Sequence, residues 1–255
     1  MRNPRSIVIT GASSGIGESL ALAYAASGID LALTGRDELR LAGVADRCRA
    51  AGARVNTARI DAADRGAMAG WLAQIDGATP VDLLIANAGI ASGTGEGRED
   101  PDLARRAFDV NLTGVLNSVQ PLIPPMIGRR RGQFAIVSSL AAFRGFSGSA
   151  AYCASKAAVR IWGEAMRNEL APQGVEVSVV CPGFVVSRMT AVNKFRMPFL
   201  MQTDRAAAII KRGLERNRSR IAFPWPMAAA VWLLAALPPG WTDPWMRQMP
   251  KKGGA

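Results

Sequence analysis

The sequence predicts one α/β domain, a doubly wound parallel sheet of about seven strands with helices on both faces. Three observations carry that expectation. Short β-branched runs alternate with helical stretches along most of the chain, as in successive βαβ units. The first run leads straight into a glycine-rich turn that opens a helix. The chemically distinctive residues gather where the runs end, and in open parallel sheets ligands collect at the carboxyl ends of strands. A chain of 255 residues can bury a large core and still be one domain.

Taken in order, Ser6–Thr10 reads as the first strand, followed by Gly11, Ser13, Ser14, Gly15, Ile16 and Gly17 in a G-x-x-x-G-x-G turn. Leu20, Ala21, Tyr24 and Ala25 give the next helix its apolar face. Glycines let backbone approach a pyrophosphate closely, and a helix N-terminus offers it free N–H groups. The segment therefore reads as the opening of a dinucleotide-binding unit. Residues 31–34 form a second strand ending at Gly35 and Arg36, with a helix over 38–51. Residues 54–58 form a third, ending at Ile60 and Asp61, with a helix through Met68, Trp71 and Leu72. The fourth, 81–86, ends in Asn87, Ala88 and Gly89; one helix anchored by Phe108, Val110, Leu112 and Val115 then runs toward Met126. The fifth, 134–137, ends at Ser138 and Ser139, and a helix carrying Tyr152 and Lys156 continues to about Ala171. The sixth, 175–180, ends in Cys181, Pro182 and Gly183, and 219–223 supplies a last strand.

Charge and composition narrow the function. Net charge is +11, from 31 Lys and Arg against 20 Asp and Glu, which suits nucleic acid, an anionic membrane surface or an anionic cofactor. Apart from 129–131 and 211–220 the basic residues are scattered, without interleaved aromatics, so nucleic acid is not expected. The chain has no histidine, which excludes Ser-His-Asp chemistry and histidine metal sites; no metal is expected. Cys48, Cys153 and Cys181 have no metal-ligand spacing, and an odd number argues against a disulfide framework. A reduced, cytoplasmic setting fits. No signal peptide is expected, because Ile7, Val8 and Ile9 make too short an apolar run.

Tyr152 and Lys156, four residues apart on a helix, present both side chains to one small volume. A free phenol titrates near about 10 and is a poor base at neutral pH; an ammonium beside it favours the phenolate. A tyrosine tuned in this way can exchange protons near neutrality. The tetrapeptide alone is common, and taken alone a buried ring beside a solvated lysine is the better explanation of it. What favours chemistry is context, since every unusual group in the sequence falls at a strand end.

With these residues in view, the chain from about Ser6 to Arg220 resembles the short-chain dehydrogenase/reductase family. The turn TGASSGIG is similar to the family's cofactor turn, and Asn87, Ala88 and Gly89 to its fourth-strand signature. Ser139 stands thirteen residues before Tyr152, as the family's serine usually does. Asn111 resembles the helix asparagine that holds a relay water. The resemblance implies a Rossmann fold, a nicotinamide cofactor and a carbonyl–alcohol substrate pair. It makes Tyr152 the acid/base, Lys156 its pKa-lowering neighbour and ribose ligand, and Ser139 the group that polarises the carbonyl. It makes Asn111 the link from Lys156 to solvent. Pro182, Gly183 and Val185 would lie beside the nicotinamide. Ser187 stands where relatives often carry a threonine and would keep the carboxamide contact. A homodimer or homotetramer is also implied.

An NAD enzyme places a carboxylate at the end of the second strand. Here Gly35 removes that charge and Arg36 can pair with a 2′-phosphate, so NADP(H) is the expected cofactor. Asp37 could compete but should point away. Asp61 resembles the family's adenine contact.

Residues 1–223 are expected to be the catalytic domain, with a substrate lid over about 184–204. Met189, Met197 and Met201 in the lid either meet an irregular apolar ligand or fill core beneath it. An apolar, Trp- and Pro-rich extension, 224–255, follows. Its uninterrupted run over 227–237 is too short to span a bilayer, which needs about 20 residues. Apolar all round, it is expected to pack on the body or on a second subunit. The alternative is a membrane interface, which Trp225, Trp232, Trp241, Trp245, Arg247, Lys251 and Lys252 would suit. The expected function is NADP(H)-dependent interconversion of a carbonyl and an alcohol by hydride transfer, on an apolar small molecule. The alternatives are a membrane-associated reductase of a lipid or acyl substrate, or a non-catalytic NADP(H)-binding scaffold.

Overall fold

A computed structural model of the chain describes residues 3–93, 98–193 and 195–248. Among them one sheet runs through β1 (Ser6–Thr10), β2 (Asp30–Gly35), β3 (Arg54–Arg59), β4 (Leu83–Ala86), β5 (Gly132–Val137), β6 (Val175–Pro182) and β7 (Arg220–Phe223). Its spatial order is β3-β2-β1-β4-β5-β6-β7 and every pairing is parallel. The chain winds outward from β1 in one direction and then, from β4, in the other. That reversal opens a crevice at the carboxyl ends of β1 and β4.

Alternate residues of each strand feed two cores. Ile7, Ile9, Leu31, Leu33 and Ile85 pack beneath α1 (Gly15–Tyr24) and α2 (Glu38–Ala50). Val8, Leu84, Phe134 and Ile136 pack on the other face, against Met68 and Leu72 of α3 (Arg65–Ala78). Period-2 alternation thus puts apolar side chains on both faces, as a sheet covered by helices on both sides requires.

The single helix expected toward Met126 is corrected by the structure. It breaks into α4 (Pro101–Phe108), a π turn (Asp109–Thr113), α5 (Gly114–Val119), a 3₁₀ turn (Gln120–Leu122) and α6 (Ile123–Gly128). Pro121, Pro124 and Pro125 cannot donate to the helical ladder, which explains the later breaks. The π turn contains Asn111; such insertions interrupt the i→i−4 ladder and recur at functional sites. α7 (Ala150–Leu170) is the long helix expected to carry Tyr152 and Lys156. Beyond β6 come the short α8 (Arg188–Ala191) and then α9 (Thr203–Glu215).

After β7 the chain forms α10 (Trp225–Ala236) and α11 (Pro239–Met246). The expectation that this segment is buried on the body holds for one face only. Met227, Ala228 and Val231 pack on Leu140, Val179 and Cys181, while Trp225, Trp232, Leu233 and Trp241 stay more than half exposed. A one-sided platform can cover only one side of a helix that is apolar all round. Lys251 and Lys252, with the end of the extension, lie outside the described residues. No described helix is long and apolar enough to cross a membrane.

Candidate active site

A cleft of about 1540 Å³ runs along the carboxyl ends of the central strands. Its first wall is the turn between β1 and α1. Gly11 (φ +66°) and Gly15 (φ +61°) hold left-handed backbone that disfavours a Cβ. A Cβ on Gly17 would also sit 2.4 Å from the Gly11 carbonyl oxygen and 2.6 Å from Asn87 Nδ2. The turn is clamped from β4: Asn87 Nδ2 donates to the Thr10 and Gly11 carbonyls at 3.0 and 3.1 Å. Thr10 Oγ1 in return accepts the Asn87 and Ala88 N–H groups. Ser13, Ser14 and Ile16 line the cleft, and Ser14, the N-cap of α1, makes no side-chain capping bond. A tight glycine turn before a helix end with no side-chain cap fits an anionic diphosphate.

At the end of β2, a Cβ on Gly35 would stand 3.1 Å from Ser13 Cβ, so the turn lies close against this position. Arg36, Asp37 and Arg40 line the cleft beside it. Asp37 is held by partners on its own helix. Its carboxylate caps α2, accepting the Arg40 N–H at 3.0 Å, and pairs with the Arg40 guanidinium at 2.6 Å. Arg40 Nε is buried with no hydrogen-bond partner, a cation that sequence reading missed. Asp61 accepts the Ala63 N–H at 3.0 Å and pairs with Arg106, also missed. Burial raises the Asp61 pKa, but the Ala63 N–H, Arg106 and Arg36 outweigh it and hold the carboxyl below its ordinary range.

The four residues expected to act together do converge. Lys156 is 3% exposed, and its Nζ donates to the Val137 carbonyl at 3.0 Å. A Cβ on Gly89 would lie 3.2 Å from that Nζ and 3.1 Å from Asn111 Oδ1, so a side chain there would press on both groups. Asn111 Oδ1 accepts the Ile90 N–H at 2.8 Å; its Nδ2 donates to the Ile90 carbonyl and to Ser155 Oγ. Ser138 Oγ ties the loop to α7 by donating to the Lys156 carbonyl at 2.7 Å. Ser139 Oγ accepts the Ala141 N–H at 3.1 Å and is hydrogen-bonded to the Tyr152 hydroxyl.

The expected downward shift of Tyr152 is corrected in its net direction. Burial is the largest influence and pushes the phenol up; the Ser139 hydrogen bond works in the opposite sense without overcoming it.

The N-terminus of α7 is held from a distance. Its N-cap, Ser149, makes no side-chain capping bond. Glu99 instead accepts the Ala151 N–H with both oxygens at 3.2 Å, and takes a hydrogen bond from Ser92 Oγ at 2.8 Å. Ser92 Oγ accepts the Tyr152 N–H at 3.0 Å. Nothing in the local sequence marks these two residues, because they lie more than fifty positions from the helix they cap.

The lid and the extension complete the cleft. Gly183 N–H donates to the Phe223 carbonyl at 2.7 Å, with Pro182 beside Ser139. Val185 is buried and bridges to Met201. Ser187, which touches the space over Gly15, caps α8 in a reciprocal pair with Thr190. Of the lid methionines, Met189 lines the cleft, Met201 is buried in the core, and Met197 meets Asn193. Met227, Val231, Leu234 and Trp245 of the extension form a further apolar wall. Among the described residues no cluster of His, Cys, Asp or Glu could hold a metal ion.

The short chain dehydrogenase family model matches residues 5–196. An uncharacterized oxidoreductase of Myxococcus xanthus is 38% identical over 235 residues, covering 92% of this chain and 93% of that protein. Among solved structures, a short-chain dehydrogenase from Sphingobium yanoikuyae in complex with NADPH superposes with a TM-score of 0.81 at 26% identity, covering 98% of each chain. A short chain dehydrogenase/reductase from Burkholderia phymatum in complex with NAD has the same TM-score and identity, covering 90% of this chain and 92% of that one. Motifs, fold, cleft and relatives agree: the chain belongs to the short-chain dehydrogenase/reductase family of oxidoreductases.

Proposed function

We propose that the protein interconverts a carbonyl and an alcohol on an apolar small molecule with NADP(H), and that Tyr152 moves the proton. The observation that carries this reading is the hydrogen-bonded pair of Tyr152 and Ser139, with Lys156 and Asn111 behind it, beside a glycine turn fitted to a diphosphate. A nicotinamide cofactor supplies and accepts the hydride. Gly11, Ser13, Ser14, Gly15, Ile16 and Gly17 would hold its diphosphate, and Asp61, Asn87, Ala88 and Gly89 its adenine and ribose side. Pro182, Gly183, Val185 and Ser187 would border the nicotinamide, where Ser187 also serves the lid helix.

In reduction, Tyr152 donates its phenolic proton to the oxygen as negative charge develops there, and the Ser139 hydroxyl stabilises that charge. Lys156 then stabilises the phenolate and binds the cofactor ribose. The π turn around Asn111 frees backbone from the helical ladder, a suitable place for water that reprotonates the site through Lys156. The buried phenol supports proton donation, since burial keeps it protonated at neutral pH.

The preference for NADP(H) rests on Gly35, Arg36 and Arg40. With Asp37 neutralised by Arg40, the guanidiniums face a 2′-phosphate without a competing free carboxylate. Solved relatives are in complex with NADPH in one case and NAD in another, and this cluster is what supports NADP(H) for this chain. The apolar substrate class rests on Met189, Val192, Phe195, Met227, Val231 and Leu234 along the cleft. Association into a homodimer or homotetramer belongs to the same reading. Exposed Phe108 and Ile161, on the packed helices α4 and α7, offer it apolar surface. Three buried cysteines outside any disulfide suit a cytoplasmic setting.

The test is NADPH oxidation against ketosteroids, medium- and long-chain ketones, acyl thioesters and quinones. Turnover of at least one apolar carbonyl supports the proposal; NADPH binding with no turnover of any would favour a non-catalytic scaffold.

A further inference from the structure

The outward side of α10 and α11 is unlike the rest of the surface. Trp225 is 78% exposed, Trp232 62%, Leu233 59%, Trp241 77% and Trp245 57%. No charged residue occurs between Phe223 and Thr242, and Ala229, Ala230, Ala235 and Ala236 are the other exposed residues of α10. A contiguous apolar face of this kind is normally covered.

Three observations identify the cover. First, apart from indole N–H groups the outward side chains of α10 carry no donor or acceptor, whereas protein interfaces carry about one hydrogen bond per 100–200 Å². Hydrocarbon needs no such partners, and tryptophan is the residue that prefers the boundary between hydrocarbon and water. Second, charge is complementary to an anionic surface. α10 and α11 hold one charged residue, Asp243, and the sequence that follows them carries Arg247, Lys251 and Lys252, within a protein of net charge +11. Third, α10 is twelve residues long, so it can lie in an interface but cannot cross.

We propose that the outward face of α10 and α11 docks the protein on an anionic lipid surface. The placement has a consequence for the cleft. Met227, Val231 and Leu234 line it from the inner side of the same helix, and Trp245 both lines it and reaches solvent. Docking therefore sets one wall of the cleft against the lipid boundary, where an apolar carbonyl compound is concentrated. That last step rests on the proposed oxidoreductase reading; the docking does not.

The experiment is co-sedimentation of the full-length protein with phosphatidylcholine vesicles, with and without phosphatidylglycerol, across a salt series and without substrate. The expected result is binding to the anionic vesicles that weakens as salt rises, with a blue shift of tryptophan emission. The variant Trp232→Ser/Leu233→Ser changes exposed side chains only. It should bind at least about tenfold more weakly while keeping its melting temperature. Two outcomes overturn the proposal. One is absence of binding to either vesicle. The other is a dimer, seen by light scattering, that the same variant splits into monomers, which assigns the face to a second copy of this chain. Turnover of a water-soluble carbonyl, measured separately, reports on the oxidoreductase reading and is independent of both.

Discussion

The phenol of Tyr152 is hydrogen-bonded to the hydroxyl of Ser139, although thirteen residues and a change of secondary structure separate them. Ser139 is fixed at the end of β5 by the 3₁₀ turn it caps, and Tyr152 by the first turn of α7. Two rigid elements thus deliver two hydroxyls to one point, the arrangement needed to polarise an oxygen and hand it a proton.

Burial of that phenol sets a pH dependence. Its pKa is raised, so the protonated donor persists through the neutral range. Carbonyl reduction should therefore hold steady across neutral pH and fall only on the alkaline side, as the proton is lost. Alcohol oxidation, which needs the phenolate, should rise over the same interval. Initial rates in both directions across a pH series check this; a reduction rate that rises with pH would contradict it.

Arg36→Ala should weaken NADPH binding about ten- to hundredfold, the loss of one charge-assisted contact, and leave NADH nearly unchanged. Arg40→Ala should weaken NADPH as well, because it removes a cation and also uncovers the carboxylate of Asp37. Fluorescence titrations with both cofactors measure the preference. An Arg36→Ala protein with its preference intact would show that the phosphate is read elsewhere.

Glu99→Ala strips the remote cap from α7 and should cost about 0.5–2 kcal/mol of stability, within the range of lost N-caps. Ser92→Ala should cost less than a full cap, and the double variant less than the sum, since the two residues share one network. Denaturant melts of the three variants test the coupling. Strict additivity would mean that the residues act separately.

Deleting everything after Phe223 uncovers Leu140, Val179 and Cys181, on which the extension rests. The truncated protein should melt at lower temperature and aggregate more readily. An unchanged melting temperature would show that the extension adds nothing to the body.

The sheet was legible because most strands are short apolar runs closed by a turn, and the glycines and hydroxyls that follow fall on one edge; β3 (Arg54–Arg59), polar and largely exposed, is the exception. Asn111, Ser139, Tyr152 and Lys156 were legible by spacing and resemblance. Less so was whatever depends on three-dimensional neighbours. Arg40, Arg106, Ser92 and Glu99 occupy ordinary helix or loop positions in the sequence and gain meaning only from partners folded against them. The direction of the Tyr152 shift was misjudged for the same reason, because burial cannot be read from a tetrapeptide. In the extension, composition gave a helix apolar all round but not how much of it the body would cover.

The most direct test of the account is Tyr152→Phe, which deletes one oxygen and leaves the ring. The variant should fold with an unchanged melting temperature and bind NADPH as the parent does. It should reduce the best carbonyl substrate at least about a hundredfold more slowly, the scale of a lost general acid. Reduction at a rate within a few-fold of the parent, with NADPH binding intact, would show that the proton comes from another group and would contradict the account.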